Sequence, residues 1–350
     1  MIRNQLYLQD LQKAAAQLPD WQLLQDSSIL ISGATGMIGS YLVDLLMCQN
    51  SSMGLNCTVY ALGRNAEKAQ KRFAPYWDNP CFRFISCDIN RSLDLNISQV
   101  DYILHAASNT HPVAYATDPI GTVATNIIGT HNLLEFAANH GTKRFIFAST
   151  VEVYGENRGD TEYFTEDYCG HIDCNTLRAG YPESKRAGEA LCQAYIKQTG
   201  LDVVIPRLSR VYGPTMLMSD TKALSQFIKN SLAGEDIVLK SEGTQFFSYS
   251  YVADAVTGIL YCLMRGVSGE AYNISDPASD ITLRDLAALI AEQAGTKVIF
   301  QIPDAVESAG FSKATKAVLD SSKLRGLGWQ PKWDIQTGIR TTIQLLKDTP

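Results

Sequence analysis

Tyr181 and Lys185 stand four residues apart in YPESK, a spacing that puts both side chains on one face of a helix. A phenol is a poor base at neutral pH. An adjacent ammonium and the positive ring of an oxidised nicotinamide would stabilise the phenolate and bring its pKa into a useful range. Such a tyrosine can take or return a hydroxyl proton while hydride moves to or from the ring. Y-x-x-x-K by itself is common on helix surfaces. Here it follows a run ending Ala148-Ser149-Thr150, which offers a hydroxyl able to bond the same substrate oxygen. A second chemical signal is Gly33-Ala34-Thr35-Gly36-Met37-Ile38-Gly39, directly after the apolar run SILIS. A tight turn and close approach to a pyrophosphate leave no room for a β-carbon there, and a helix opening at that point supplies free N–H groups for the phosphate charge.

Weaker signals follow in the order a dinucleotide would meet them. Leu62-Gly63-Arg64-Asn65 ends the second apolar run, where an acidic residue would bond the ribose of NAD; an arginine instead accommodates the 2′-phosphate of NADP. The cofactor is therefore NAD or NADP, with Arg64 tipping the balance toward NADP unless it is only a solvated loop residue. Asp88 and its neighbour Ile89, after FRFISC, suit the adenine end, and His105-Ala106-Ala107 places small residues beside the cofactor path. The eight cysteines are scattered, with no C-x-x-C pair and no His spacing suited to zinc, so no metal site is expected and the thiols read as reduced, in a cytoplasmic protein.

These residues need a particular scaffold. From Ser28 the chain alternates short β-branched runs (SILISG, CTVYALG, FRFISC, VDYILHAA, KRFIFAST, DVVIPRLS) with amphipathic helical stretches, the pattern of parallel βαβ units. This predicts an α/β fold: a Rossmann doubly wound parallel sheet with a smaller mixed α/β C-terminal substrate lobe. The expected division is a helical extension over 1–26, a dinucleotide-binding domain over 27–211 plus 249–267, and the substrate lobe over 212–248 plus 268–350. Neither fold nor chemistry supplies a need for the extension.

At 350 residues, with 45% hydrophobic and 19% charged side chains, the chain reads as an ordinary globular protein. A formal net charge of -6 without a Lys/Arg cluster argues against nucleic acid or an anionic membrane as partner. The opening MIRNQLYLQDLQKAAAQLPDW is too polar for a secretory signal or anchor, and no stretch reaches 18 apolar residues.

GATGMIG, HAAS, TNIIGT, ASTVEVYG, YPESK, RVYGP, YVADAV and LDSSKLRGLGW together resemble the ordered motif series of the extended short-chain dehydrogenase/reductase family, from about residue 28 to 333. That family includes nucleotide-sugar epimerases, 4,6-dehydratases and UDP-glucuronate decarboxylases. The resemblance implies that Thr150, Tyr181 and Lys185 form the catalytic trio, that Asn126 orders the site, that Ser108 meets substrate, and that the cofactor lies over Gly33 to Gly39. It further implies a nucleotide-sugar substrate and a homodimer through helices around 121–139 and 183–198. The segments ASTVEVYG and ALCQAYIKQTGLDV sit nearest the decarboxylase and dehydratase branch.

Three positions depart from the family pattern. Dehydratases carry Asp then Glu after the threonine, the Asp protonating the leaving hydroxyl; here the pair is Val151 and Glu152. Valine delivers no proton, which disfavours 4,6-dehydration, while Glu152 can act as a base or orient substrate. Arg210 stands where asparagine is usual, and Phe247 where relatives commonly carry a diphosphate-binding arginine. Arg210 is thus expected to restore the phosphate contact, with Lys316 as a second candidate. The leading expectation is transient oxidation of a nucleotide-linked sugar, followed by epimerisation or decarboxylation. The rivals are an NADPH-dependent reductase or dehydrogenase of a keto-sugar or alditol, and a non-catalytic cofactor sensor, which the intact trio opposes.

Overall fold

The computed structural model describes residues 1–110, 117–301 and 314–348. Its larger sheet pairs β1 (Ser28–Ser32), β2 (Thr58–Gly63), β3 (Phe82–Ser86), β4 (Tyr102–His105), β5 (Arg144–Phe147), β6 (Ser149–Thr150), β7 (Val203–Leu208) and β11 (Ala271–Ile274). The order is β11-β7-β5-β4-β1-β2-β3, with β6 continuing the pairing onto β7, and every pairing is parallel. Successive residues point to opposite faces, so both faces must be apolar. Leu30, Ile103, Phe145, Phe147 and Val203 pack with Leu133, Leu134 and Cys192 from the helices Thr130–Asn139 and Gly180–Thr199. Ile29, Ile31, Leu104, Ile146 and Val204 pack on the other side with Leu42, Leu45, Ile259 and Leu260 from the helices Met37–Met53 and Val252–Arg265. This is the expected doubly wound arrangement. Strand order reverses between β1 and β4, which opens a crevice at the carboxyl ends of the strands.

The smaller lobe holds β8 (Arg210–Tyr212), β10 (Phe246–Tyr251), β12 (Asp280–Thr282) and β14 (Lys316–Ala317) in one sheet, and β9 (Ile237–Leu239) with β13 (Val298–Phe300) in another. The dividing line differs from the one read off the sequence. Residues 210–211 and 249–251 belong to the smaller sheet, whereas β11 extends the larger one, Ala271 to Ile274 pairing with Ile205 to Leu208. Four residues carry too little periodicity to announce their sheet; what fixes β11 is tertiary, with the buried Asn273 accepting from the Tyr154 hydroxyl at 2.6 Å.

The N-terminal extension is part of the core. Its helix Gln5–Ala15 is capped by Asn4, whose side chain accepts from the Leu6 amide, and it buries Tyr7, Leu11 and Ala14 completely. The Asp10 carboxylate accepts hydroxyls from Tyr41, behind the glycine turn, and from Tyr251, at the end of β10, at 2.9 and 3.0 Å. Tyr7 donates to the buried Asp44, which also takes Tyr76 and Arg72. No described helix is long and apolar enough to cross a membrane.

Candidate active site

The glycine turn, Asp88, Ala106, Ala107, Asn126, Thr150, Tyr181 and Lys185 gather at the carboxyl edge of the larger sheet, whereas Arg210 and Lys316 lie on strands of the smaller one. Gly33 turns the chain out of β1 with φ +72°, and a β-carbon on it would lie 2.8 Å from the Ala107 backbone; one on Gly39 would lie 2.5 Å from the Gly33 carbonyl. The helix Met37–Met53 that follows has Gly36 at its N-cap and no side-chain cap. Its first amides are thus not taken by a side chain, and with Thr35, Met37 and Ile38 at the partly exposed turn they form the cradle that a pyrophosphate requires. Ala106 and Ala107 border it. Arg64, at the end of β2, is exposed. Asp88 is half-buried, accepting from the Asn90 amide at 3.1 Å, and Ile89 packs beneath Gly129. These residues fit a dinucleotide laid across the strand ends.

Thr150 ends β6 and caps the single turn Val151–Tyr154. Its side chain is hydrogen-bonded to Tyr181, at the start of the helix Gly180–Thr199. Lys185, 2% exposed, lies one turn further on, donates to the Ala148 carbonyl at 2.9 Å and sits over the Phe147 ring. Burial lowers its ammonium to about 8. The phenol of Tyr181, expected to be lowered by Lys185 and an oxidised nicotinamide together, is raised in the chain alone. Burial pushes it well up and the Glu152 carboxylate adds to that, against the Thr150 hydrogen bond and the Arg178 guanidinium. In the chain by itself Tyr181 is a proton carrier in its acid form.

Asn126 is fully buried in a π-helical turn, Thr125–Gly129, a distortion often found at functional sites. It donates to Ser184 at 2.9 Å and accepts from Ser108 at 2.7 Å, and Ser184 in turn donates to the Tyr181 carbonyl. His105 extends this network: its ring bonds Ser32 at 2.8 Å and Thr130 at 3.0 Å, and burial holds its pKa far below the ordinary value. A neutral imidazole thus links the glycine turn to the Asn126 helix. A polar residue ending an otherwise apolar strand was its only trace in the sequence.

Arg178 lay outside the sequence reading, whereas Arg210 and Lys316 were named there as phosphate contacts. Arg178 donates to Glu152 at 3.0 Å, pinning that carboxylate beside Tyr181; nothing in its loop sequence marks it. Arg210 stacks on the Phe247 ring at 3.5 Å, beside Tyr249, its partner in register. Lys316 is not brought to the same place. It pairs with Phe246, so its side chain leaves the face of β10 opposite to Phe247 and Tyr249, and it approaches Tyr163 instead.

The glycine cradle, the Thr150–Tyr181–Lys185 trio and the parallel sheet define an extended short-chain dehydrogenase/reductase, and the sequence pattern of the NAD dependent epimerase/dehydratase family matches residues 29–275. The chain belongs to that family. Among individual proteins it is similar to UDP-glucuronic acid decarboxylase 1 of Danio rerio, 34% identical over 90% of this chain and 72% of the relative. UDP-glucuronic acid decarboxylase 3 of Arabidopsis thaliana is 32% identical over 89% of this chain and 86% of the relative. Two solved structures match with a TM-score of 0.77 over 92% of this chain. One is UDP-glucuronic acid 4-epimerase from Bacillus cereus with UDP-glucuronic acid and NAD, 25% identical over 99% of its chain. The other is a dTDP-glucose 4,6-dehydratase mutant from Streptomyces venezuelae with NAD bound, 26% identical over 97% of its chain.

Proposed function

We propose that this enzyme decarboxylates a nucleotide-linked uronic acid, with UDP-glucuronic acid as first candidate. What carries the reading is the similarity to UDP-glucuronic acid decarboxylases across 90% of the chain, joined to a site whose second acid is Glu152 and not the Asp-Glu pair of dehydration. Thr150 and Tyr181 bond the sugar C4 hydroxyl, and Tyr181 accepts its proton. A nicotinamide dinucleotide held with its pyrophosphate at Gly33–Gly39, beside Ala106 and Ala107, would supply the hydride acceptor and, when oxidised, a positive charge that offsets the burial of the phenol. Oxidation at C4 makes the substrate a β-keto acid, whose C5–C6 bond breaks to release CO2 and leave an enolate at C4–C5. Glu152, held by Arg178, faces this chemistry; C5 takes a proton from water, and Tyr181 would return its own proton to the C4 oxygen as the hydride is given back. Lys185 and Asn126 orient Tyr181.

Arg64, exposed at the end of β2, supports use of NADP beside NAD. Exposed Ile120 and Ile128 on the helices near 121–139 support the homodimer, and eight free thiols support a cytoplasmic site. The test is to incubate purified protein with UDP-glucuronic acid and follow the nucleotide product by mass spectrometry. A UDP-pentose with released CO2 is expected; a C4 epimer of unchanged mass refutes decarboxylation. Stoichiometric nicotinamide nucleotide in the denatured protein supports borrowed hydride, while an empty protein consuming NADPH turns the reading to a reductase.

A further inference from the structure

Four half-buried arginines face a carboxylate: Arg72 meets Asp44, Arg144 meets Asp202, Arg186 meets Glu183 and Arg207 meets Glu189; Arg325 donates to the Ser322 hydroxyl. Arg210 does neither. Among the described residues it makes no ion pair and no hydrogen bond, and its Nη1 is shielded from solvent without a partner. Its contact is the face of Phe247. Stacking occupies only the π face of a guanidinium, so all five in-plane N–H donors remain available. Holding a cation in this state is costly unless something outside the chain completes it.

The surroundings say what that is. The charged side chains that Arg210 senses are Glu152 and Arg178, which are already paired with one another. The cluster therefore carries two guanidinium groups against one carboxylate, and Tyr181 faces the same Glu152–Arg178 pair. We propose that Arg210 is the oxyanion receptor of this site, with Phe247 as the platform that aims its fork at a negatively charged group of the substrate. This rests on the nucleotide-uronate reading above. Two groups of such a substrate share the chemistry, the sugar carboxylate and the diphosphate, and a planar fork suits either.

The experiment is calorimetric binding of UDP, UDP-glucose and UDP-glucuronic acid to full-length wild type, Arg210→Gln and Arg210→Lys, with melting temperatures measured alongside. Arg210→Gln is expected to weaken at least one ligand roughly tenfold to a hundredfold, since charge-assisted hydrogen bonds are lost. Arg210→Lys, which keeps the charge and loses the fork, falls between. Loss already present with UDP assigns the diphosphate; loss confined to UDP-glucuronic acid assigns the carboxylate. The melting temperature should not fall, whereas an arginine serving only the fold would lower it. If Arg210→Gln does not fold, weakening in Arg210→Lys carries the proposal and unchanged affinity there overturns it. Wild-type affinity for all three ligands in a folded Arg210→Gln overturns the receptor alone. A wild-type protein that binds none of them overturns the nucleotide-sugar reading itself.

Discussion

Asn126→Ala isolates the link between the buried polar network and the catalytic tyrosine. The substitution removes two neutral hydrogen bonds, to Ser184 and from Ser108, each contributing about 1 kcal/mol net. Neither partner is stranded, because Ser184 keeps its bond to the Tyr181 carbonyl and Ser108 keeps Asn109. A small cavity adds to the loss, for a total of about 2–3 kcal/mol. At roughly 2 °C per kcal/mol for a long chain, the melting temperature should fall about 4–6 °C. Activity should fall further than stability requires, because the π-helical turn can relax to α-helix and let the start of the Tyr181 helix shift. A drop in kcat of about tenfold, with KM little changed, is expected at a temperature where the variant is fully folded. Asn139→Ala, at an exposed position whose side chain among the described residues bonds Glu135 alone, is the control and should move stability by less than about 0.5 kcal/mol. Wild-type kcat and melting temperature in Asn126→Ala would show that the network does not position Tyr181.

Tyr181→Phe should fold with an unchanged melting temperature and lose turnover by about a hundredfold or more; near-normal turnover removes its acid/base role. Arg64→Asp should weaken NADP binding by about tenfold or more while affecting NAD little, and equal losses for both would return Arg64 to a solvated loop role. The Asp10 carboxyl is raised from 3.8 to about 6, mainly by burial. A folded-state value above the unfolded one means that protonation favours the fold, so this contribution is full below about pH 4 and is lost as pH rises through about 6. Asp10→Asn keeps an acceptor for Tyr41 and Tyr251, and should flatten the fall in melting temperature from pH 5 to 7. A gain on the order of 2 kcal/mol at pH 7 is expected, and an unchanged pH profile refutes the assignment.

What could be read from the sequence was what depends on near neighbours. The glycine turn, the Tyr181–Lys185 spacing and the alternation of strands and helices are set within a few residues, and the structure assembles them at one sheet edge. What depends on distant partners was not readable. Arg178 reveals itself only where its loop meets Glu152, and His105 only where Ser32 and Thr130 close around it. Lys316 looked like a phosphate ligand until the register of β14 turned it away from Arg210. The Tyr181 phenol was expected to be lowered by Lys185 together with an oxidised nicotinamide; in the chain alone burial and Glu152 raise it, and neither influence is visible without the fold.

The tie from Asp10 to Tyr251 also bears on how the protein is made. The two residues are 241 positions apart. At about 5–20 residues per second, the N-terminal helix leaves the ribosome roughly 10–50 s before its second anchor exists. Throughout that interval the apolar face of Tyr7, Leu11 and Ala14 has only part of its burial site. The helix around Asp10 therefore completes this part of its docking only once β10 has been made, and a chain that stops before Tyr251 lacks that anchor.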